Sequence, residues 1–286
     1  MAYTNSQDYF LSKLDRCRIF WQCWIPTQPV VGVLIFQHGF GEHSDRYQNL
    51  LSTLEGTGLA CYAMEARGHG RSEGKRGYIS SFDDFVDDMH QFVQVVIHEQ
   101  DIDQVMMLGH SMGGVIAIQY ALSHHDQLQG LILSSPGIRL HMTLYNKLMS
   151  GVSALLAKYL PNILLDSKLD LDNLSHDKNL IEDYKTDPLV HSKVSPVLGN
   201  TLLTIHKHLY EQAHQLTLPL LVIHGTADKL TDPDGSKKFF EMVSSQDKTL
   251  KLYDGLFHET MNEVPVAKAE VLNDIKEWLE VRMATQ

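Results

Sequence analysis

VMMLGHSMGGVIAIQYAL, residues 105–122, is the stretch on which the fold turns. It opens with four aliphatic residues, short enough for a buried strand, and closes on an apolar run that reads as a helix. Between them stands Gly109-His110-Ser111-Met112-Gly113, so a strand must turn sharply into a helix with a serine at the apex. Such a turn holds the serine in a sparsely populated backbone conformation. Side chains two residues to either side would collide. Gly109 and Gly113 remove them, and Gly114 lets the helix lie close to neighbouring strands. The bland alternative is a Gly-rich turn that happens to carry a serine, and the strand before and helix after weigh against it.

Outward from this centre the same alternation repeats. Residues 30–36 (VVGVLIF), 59–64 (LACYAM), 131–133 (LIL) and 218–223 (LPLLVI) are short, apolar and bounded by Gly, His, Ser or Pro, and read as strands buried on both faces. Residues 81–97 place Phe82, Phe85, Val86, Met89, Val93, Val96 and Ile97 on one helical stripe, with Ser81 and Asp84 spaced as a capping box. Val271, Ile275, Trp278 and Leu279 make another stripe near the C-terminus. Alternating strands and helices imply an α/β protein with a mostly parallel central sheet covered by helices on both sides. Residues 17–24 (CRIFWQCW) alternate partly and suit an antiparallel edge strand. The alternation fails once. Residues 137–216 offer no central strand and mostly helical patterns, including 144–165 (LYNKLMSGVSALLAKYLPNILL). The expected organisation is a core of residues 1–136 and 217–286, with a helical cap at 137–216 inserted after the sixth strand.

A serine at such an apex is a candidate nucleophile, and it needs a base and an acid. In this arrangement the three follow the chain order Ser, acid, His, each on a loop at the carboxyl end of a strand. Of sixteen histidines, only His258 lies beyond His224; it sits after a strand-like run at 249–253 and before the last helix. His224, inside a strand end, reads as a buried core histidine. Asp228 follows the strand 218–223 directly, with Asp232 in reserve and Asp234 better read as a helix N-terminal residue. The second requirement is a pair of N–H donors for a developing oxyanion. The N–H of Met112 is one candidate; the N–H of Phe40, in the turn His38-Gly39-Phe40-Gly41, is the other, with Gly39 and Gly41 allowing the turn.

At this point the sequence resembles a known family. His38-Gly39-Phe40-Gly41-Glu42-His43-Ser44-Asp45-Arg46-Tyr47 resembles the HG-x-G-E-H-S-x-R-Y signature of monoacylglycerol lipases and their lysophospholipase-like relatives. Residues 67–74 (RGHGRSEG) and Gly109 to Gly114 are similar to two further motifs of that family, and Asp187-Pro188-Leu189-Val190 to its cap segment. The resemblance runs from about residue 15 to the C-terminus. It implies an α/β-hydrolase fold with a helical cap, no cofactor, and hydrolysis of a single fatty-acyl ester, with Ser111, His258 and Asp228 as the triad. Monoacylglycerol is the first expectation for substrate. A lysophospholipase, thioesterase or aminopeptidase could use the same triad, and a non-catalytic receptor could be built on the same scaffold.

Composition narrows the field. A formal net charge of −11 over 286 residues argues against nucleic acid and against electrostatic docking on anionic lipid, leaving weak hydrophobic contact through the cap. Residues 1–13 lack the pattern of a secretory signal, and Cys17, Cys23 and Cys61 form no C-x-x-C, so the cytoplasm is the default compartment. No metal is expected, since Asn262 stands where H-E-x-x-H would need its second histidine after His258. The cluster Asp83, Asp84, Asp87 and Asp88 reads as a solvated helix face. Glu42 and Arg46 either brace the Gly39–Gly41 turn by an ion pair or form an ordinary surface pair.

Overall fold

The computed structural model describes residues 3–283. Its strands are, in chain order, β1 (Tyr3–Leu11), β2 (Arg18–Pro26), β3 (Gly32–Gln37), β4 (Leu59–Met64), β5 (Val105–His110), β6 (Leu128–Ser134), β7 (Leu165–Asp166), β8 (Lys193–Val194), β9 (Leu220–Gly225) and β10 (Lys248–Tyr253). β7 and β8 form a separate two-stranded ribbon, and the other eight make one sheet in the order β1-β2-β4-β3-β5-β6-β9-β10. β1 and β2 run antiparallel to their neighbours, and the sheet strands from β4 to β10 run parallel. The fold is that of an α/β-hydrolase.

Period-two alternation explains how both faces are buried. Val33 and Ile35 of β3, with Ala60, Tyr62 and Met64 of β4, face one core layer. There they meet α2 (Asp83–Gln100) and α3 (Met112–Ser123). Leu34, Phe36, Leu59 and Cys61 face the other, against α1 (Gln48–Leu54) and α9 (Pro265–Met283). At the start of α2 one half of the expected capping box forms: the Asp84 carboxylate accepts from the backbone N–H groups of Ser80 and Ser81 at 2.8 and 3.2 Å, while the Ser81 hydroxyl accepts from Asp83 N–H at 3.3 Å and not from Asp84. It ends at Asp101, left-handed at φ 52°, whose N–H returns to the Ile97 carbonyl.

Two expectations are corrected here. The run at 17–24 does form an antiparallel strand, β2, but it is not the edge. Tyr3–Leu11 pairs along its whole length and takes the edge position. Its residues are mostly polar and exposed, so it has no core face for hydrophobic patterning to reveal. The acidic face of α2 is likewise not wholly solvated. Asp88 is buried, receives two hydrogen bonds from Arg67 at 2.7 and 3.0 Å and one from Ser12 at 2.6 Å, and ties the β1–β2 hairpin to the helix.

Between β6 and β9 the chain leaves the sheet. It forms α4 (Leu144–Tyr159), the ribbon β7–β8, α5 (Lys178–Thr186), α6 (Pro196–Thr204) and α7 (His206–Gln212). α4 stops at Tyr159 because Pro161 follows and disfavours helical geometry at Leu160. Leu209, Tyr210 and Ala213 belong to the same core cluster as Phe239 of α8 (Pro233–Met242), so α7 packs on the sheet layer. At the other end of the excursion, His141 N–H and Asp232 N–H bond to the carbonyls of Leu230 and Arg139, fastening it to the loop after β9.

Candidate active site

The β5–α3 turn places Ser111 at φ 53° and ψ −120°, a conformation that costs a non-glycine residue energy and persists only where neighbours enforce it. The enforcement is visible. Ser111 N–H donates to the Ser134 carbonyl at 3.0 Å, and the Ser111 carbonyl accepts from Gly137 N–H at 2.8 Å and Gly114 N–H at 3.0 Å. The flanking glycines are required by close approach. A Cβ on Gly109 would lie 2.4 Å from the Gly113 carbonyl oxygen, and one on Gly113 would lie 2.3 Å from that of Gln37. The two glycines thus relieve contacts with each other and with the end of β3. Met112 is the first residue of α3, where a backbone N–H has no acceptor within its own helix.

The loop after β9 holds Asp228 beneath the loop after β10, which carries His258. His258 Nδ1 lies 2.7 Å from Asp228 Oδ2, and both side chains are buried. The same oxygen accepts from Thr231 Oγ1 at 2.8 Å and lies 3.0 Å from His224 Nε2; Oδ1 accepts from the N–H groups of Leu230 and Thr231 at 2.7 and 3.0 Å. Burial alone would raise the pKa of Asp228, but His258 and His224 outweigh it and hold the carboxyl far below its ordinary range. Burial alone would lower the pKa of His258, but the Asp228 carboxylate outweighs it and raises the imidazole above its usual value. With Nδ1 engaged by Asp228, Nε2 is the ring nitrogen that remains for another partner. Neighbouring His110, 4.9 Å away ring to ring, is driven the other way, to about 4, by burial and by His258. Asp232 instead caps α8 through Asp234 N–H and pairs with Arg139.

The turn after β3 is braced by a buried chain of charges. Glu42 Oε1 accepts from Gly39 N–H at 2.6 Å and from the Tyr47 hydroxyl at 3.1 Å, while its Oε2 accepts from Arg46 at 2.8 Å. Arg46 also grips Glu259 with two hydrogen bonds, 2.8 and 3.0 Å, and lies over the Tyr184 ring. Burial works against ionising Glu42, yet Arg46 and the nearby histidines hold its pKa at about 2. The Glu42–Arg46 pair is therefore internal, and through Glu259 it links the Phe40 turn to the residue next to His258. Sequence patterning singled out neither Glu259 nor the roles of His224 and Thr231 as partners of Asp228. Only Glu259 had a local signal, its adjacency to His258. From the excursion, Asp187 bonds His43 at 2.8 Å and His191 N–H donates to the Gly41 carbonyl at 3.0 Å. Gly41 sits at φ +77°, with the position of its missing Cβ 2.4 Å from the His191 carbonyl oxygen, so no side chain fits there.

These loops surround a cavity of about 490 Å³ whose lining includes Phe40, Ser111, Met112 and His258. Leu140, Met149, Leu156, Leu174 and Leu202 give much of its wall an aliphatic character. The sheet topology and the strained serine define a serine hydrolase of the α/β-hydrolase class. A family model described as Serine aminopeptidase, S33 matches residues 28–265. The monoacylglycerol lipase of Mycolicibacterium smegmatis is 33 % identical over 280 residues, covering 98 % of this chain and 99 % of that one. Rat monoglyceride lipase is 36 % identical over 275 residues, covering 96 % and 90 %. Among solved structures, a soluble variant of Saccharomyces cerevisiae monoglyceride lipase in complex with a substrate analog aligns with a TM-score of 0.86 at 29 % identity, over 96 % of this chain and 94 % of that one. The Paleococcus ferrophilus monoacylglycerol lipase aligns at 0.82 and 28 %, over 99 % and 100 %. The chain belongs to the monoacylglycerol lipase-like family of α/β-hydrolases.

Proposed function

We propose that the protein hydrolyses a single fatty-acyl ester, monoacylglycerol first, through an acyl-enzyme on Ser111. The observation that carries the reading is Ser111, held at positive φ in the lining of an aliphatic cavity that His258, bonded to Asp228, also lines. Ser111 Oγ attacks the ester carbonyl while His258 Nε2 takes its proton. The oxyanion rests on the N–H groups of Phe40 and Met112. His258 then protonates the departing glycerol oxygen. Water, deprotonated by the same histidine, frees the fatty acid and restores Ser111. Asp228 stays ionised throughout and fixes the imidazole. Gly39, Gly41, Gly109 and Gly113 are the structural positions that permit this arrangement. The relatives named for monoacylglycerol, matched over nearly the whole chain, support the choice of substrate. A peptidase reading gains little from the lining: Glu42 and Glu259, its buried carboxylates, are both paired with Arg46 and not free to receive an α-amino group.

Residues 137–216 act in this reading as the cap, rooted in the core at α7. Leu144, Leu148, Val152, Leu155 and Tyr159 lie on one outward stripe of α4 and are exposed, Leu144 at 87 %. That stripe suits shallow hydrophobic contact with lipid, although no helix among the described residues is long and apolar enough to cross a membrane. Binding to neutral vesicles is expected to be almost indifferent to salt; release at high ionic strength would contradict a hydrophobic contact.

The function is tested by fatty-acid release from matched monoacylglycerol and lysophosphatidylcholine series. Preference for monoacylglycerol supports the proposal, preference for lysophospholipid moves the headgroup, and inactivity on both, with plain p-nitrophenyl fatty-acyl esters also uncleaved, overturns the acyl-ester reading. The pH profile is a separate check. The base must be neutral, and Asp228 raises its pKa, so kcat/KM should fall on the acid side at a pH above that of an ordinary imidazole, about 6.5. An acid limb centred below that value would contradict the coupling.

A further inference from the structure

The cavity wall is interrupted by polar groups where α4 and α6 meet. Ser153, 2 % exposed, donates its hydroxyl to Asn200 Oδ1 at 2.8 Å, and both residues line the cavity. Ser153 shares its face of α4 with Met149 and Leu156, which also line the cavity. A hydroxyl both donates and accepts, so Ser153 satisfies one half of the Asn200 amide whichever way that amide is turned. The other half meets no protein hydrogen-bonding group among the described residues. Ser167 Oγ, in the same lining, is buried without a hydrogen-bond partner among the described residues. An aliphatic chain lying along this wall removes water from the free amide group and gives nothing back, which is the costly case for a polar group. A chain bearing a hydroxyl returns the bond.

We infer that the Ser153–Asn200 pair is a specificity element in the acyl wall, favouring acyl chains that carry a hydroxyl part-way along over plain chains of equal length. The inference rests on the acyl-ester reading of Ser111, and names a feature of the acyl half of the substrate. Discrimination arises because a site with a hydrogen-bonding group penalises the ligand that cannot use it. Full burial would make the preference very large; Asn200 is only half-buried, so a factor of about ten is expected. A packing role alone, holding α4 against α6, would make no such distinction between chains.

The experiment uses p-nitrophenyl esters, so that the glycerol headgroup plays no part. Esters of a plain fatty acid and of its mid-chain monohydroxy analogues, the hydroxyl walked along the chain, are compared by kcat/KM with wild type, Asn200→Leu and Ser153→Ala. Each ratio is internal to one variant, so a loss of folded protein cancels. The expected result is a hydroxyl preference of about tenfold at one or two chain positions in the wild type. It should fall to about one or below in Asn200→Leu, chiefly through faster cleavage of the plain ester. A wild-type ratio near one at every position, as when a water molecule keeps the amide satisfied, overturns the inference; so does a preference unchanged in Asn200→Leu. Lack of cleavage of both esters by the wild type overturns it together with the acyl-ester reading. Cleavage of these esters but not of monoacylglycerol would overturn only the headgroup assignment, and the ratio would still decide the role of Ser153 and Asn200.

Discussion

Ser111→Ala is expected to lower kcat for ester hydrolysis by about 10⁵- to 10⁶-fold, the scale seen when a serine nucleophile is removed from a triad. Labelling by a fluorophosphonate probe should vanish with it. The fold should survive, because the hydrogen bonds that pin residue 111 all use its backbone: N–H to Ser134, carbonyl to Gly114 and Gly137. For the same reason alanine does not relieve the strain at φ 53°. Glycine should. Ser111→Gly is expected to be as inactive as Ser111→Ala but more stable than it by about 1 kcal/mol, read as a higher melting temperature, since only glycine adopts this conformation freely. Retention of ester hydrolysis in either variant would remove Ser111 from the mechanism. Equal stability of the two would mean that the turn stores no strain.

The sheet was legible in the sequence wherever strands are buried on both faces. β4 coincides with its apolar run at 59–64, and β5 and β6 differ from their runs only at the ends. Ends are hard to read because Gly109-His110 and His224-Gly225 continue the strands with residues that mark turns elsewhere. β1 was invisible for a physical reason: it sits at the sheet edge, gains its stability from backbone pairing with β2, and buries almost nothing. The helical run at 144–165 was too long by six residues because apolar content continues past Pro161, up to the start of β7 at Leu165.

The candidate site divides along the same line. Ser111 and the Phe40 turn were legible as candidates because each depends on a local pattern of glycines beside a strand. Asp228 and His258 were legible as candidates because chain order leaves few alternatives after β9. The structure brings Ser111, Met112, Phe40 and His258 to one cavity and Asp228 to His258. What pattern reading could not supply was contact at long sequence separation. Glu42 and Glu259 lie 217 positions apart, joined only by Arg46, and nothing in either segment specifies the other. His224 looked like a core histidine and is one: it is fully buried, with Ser236 on one nitrogen and Asp228 on the other. Its contact with Asp228 follows from the tightness of the turn after β9, which hydrophobic patterning does not encode.

The Arg46 contacts carry the second large effect. Arg46→Met leaves Glu42 and Glu259, side chains only 5 % and 4 % exposed, facing each other without their cation. Removing one partner of a buried pair costs about 3–5 kcal/mol, so a fall in melting temperature of several degrees is expected. The contribution of Glu42 to the pH dependence should reverse in sign. In the wild type Glu42 is held at about 2, below its unfolded value near 4.3, so its contribution to stability is present at neutral pH and lost as pH falls towards 2. In Arg46→Met burial is no longer opposed by the guanidinium, so the Glu42 carboxyl rises above its unfolded value. The stability deficit of the variant relative to wild type should then be smallest near pH 4 to 5 and grow as pH rises towards 8. Activity should fall too, by about tenfold to a hundredfold in kcat with a smaller change in KM. Glu42 would no longer be held where it fixes Gly39 N–H, and the proposed Phe40 donor would be misplaced for the oxyanion, which matters in the transition state more than in the bound ester. The triple variant Arg46→Met, Glu42→Gln, Glu259→Gln separates the two effects. It removes every buried charge of the group, while the amide oxygen introduced by Glu42→Gln can still accept from Gly39 N–H, so it should regain most of the stability and much of kcat. An Arg46→Met protein that melts with the wild type and keeps its kcat would show that these buried charges fix neither the fold nor the loop.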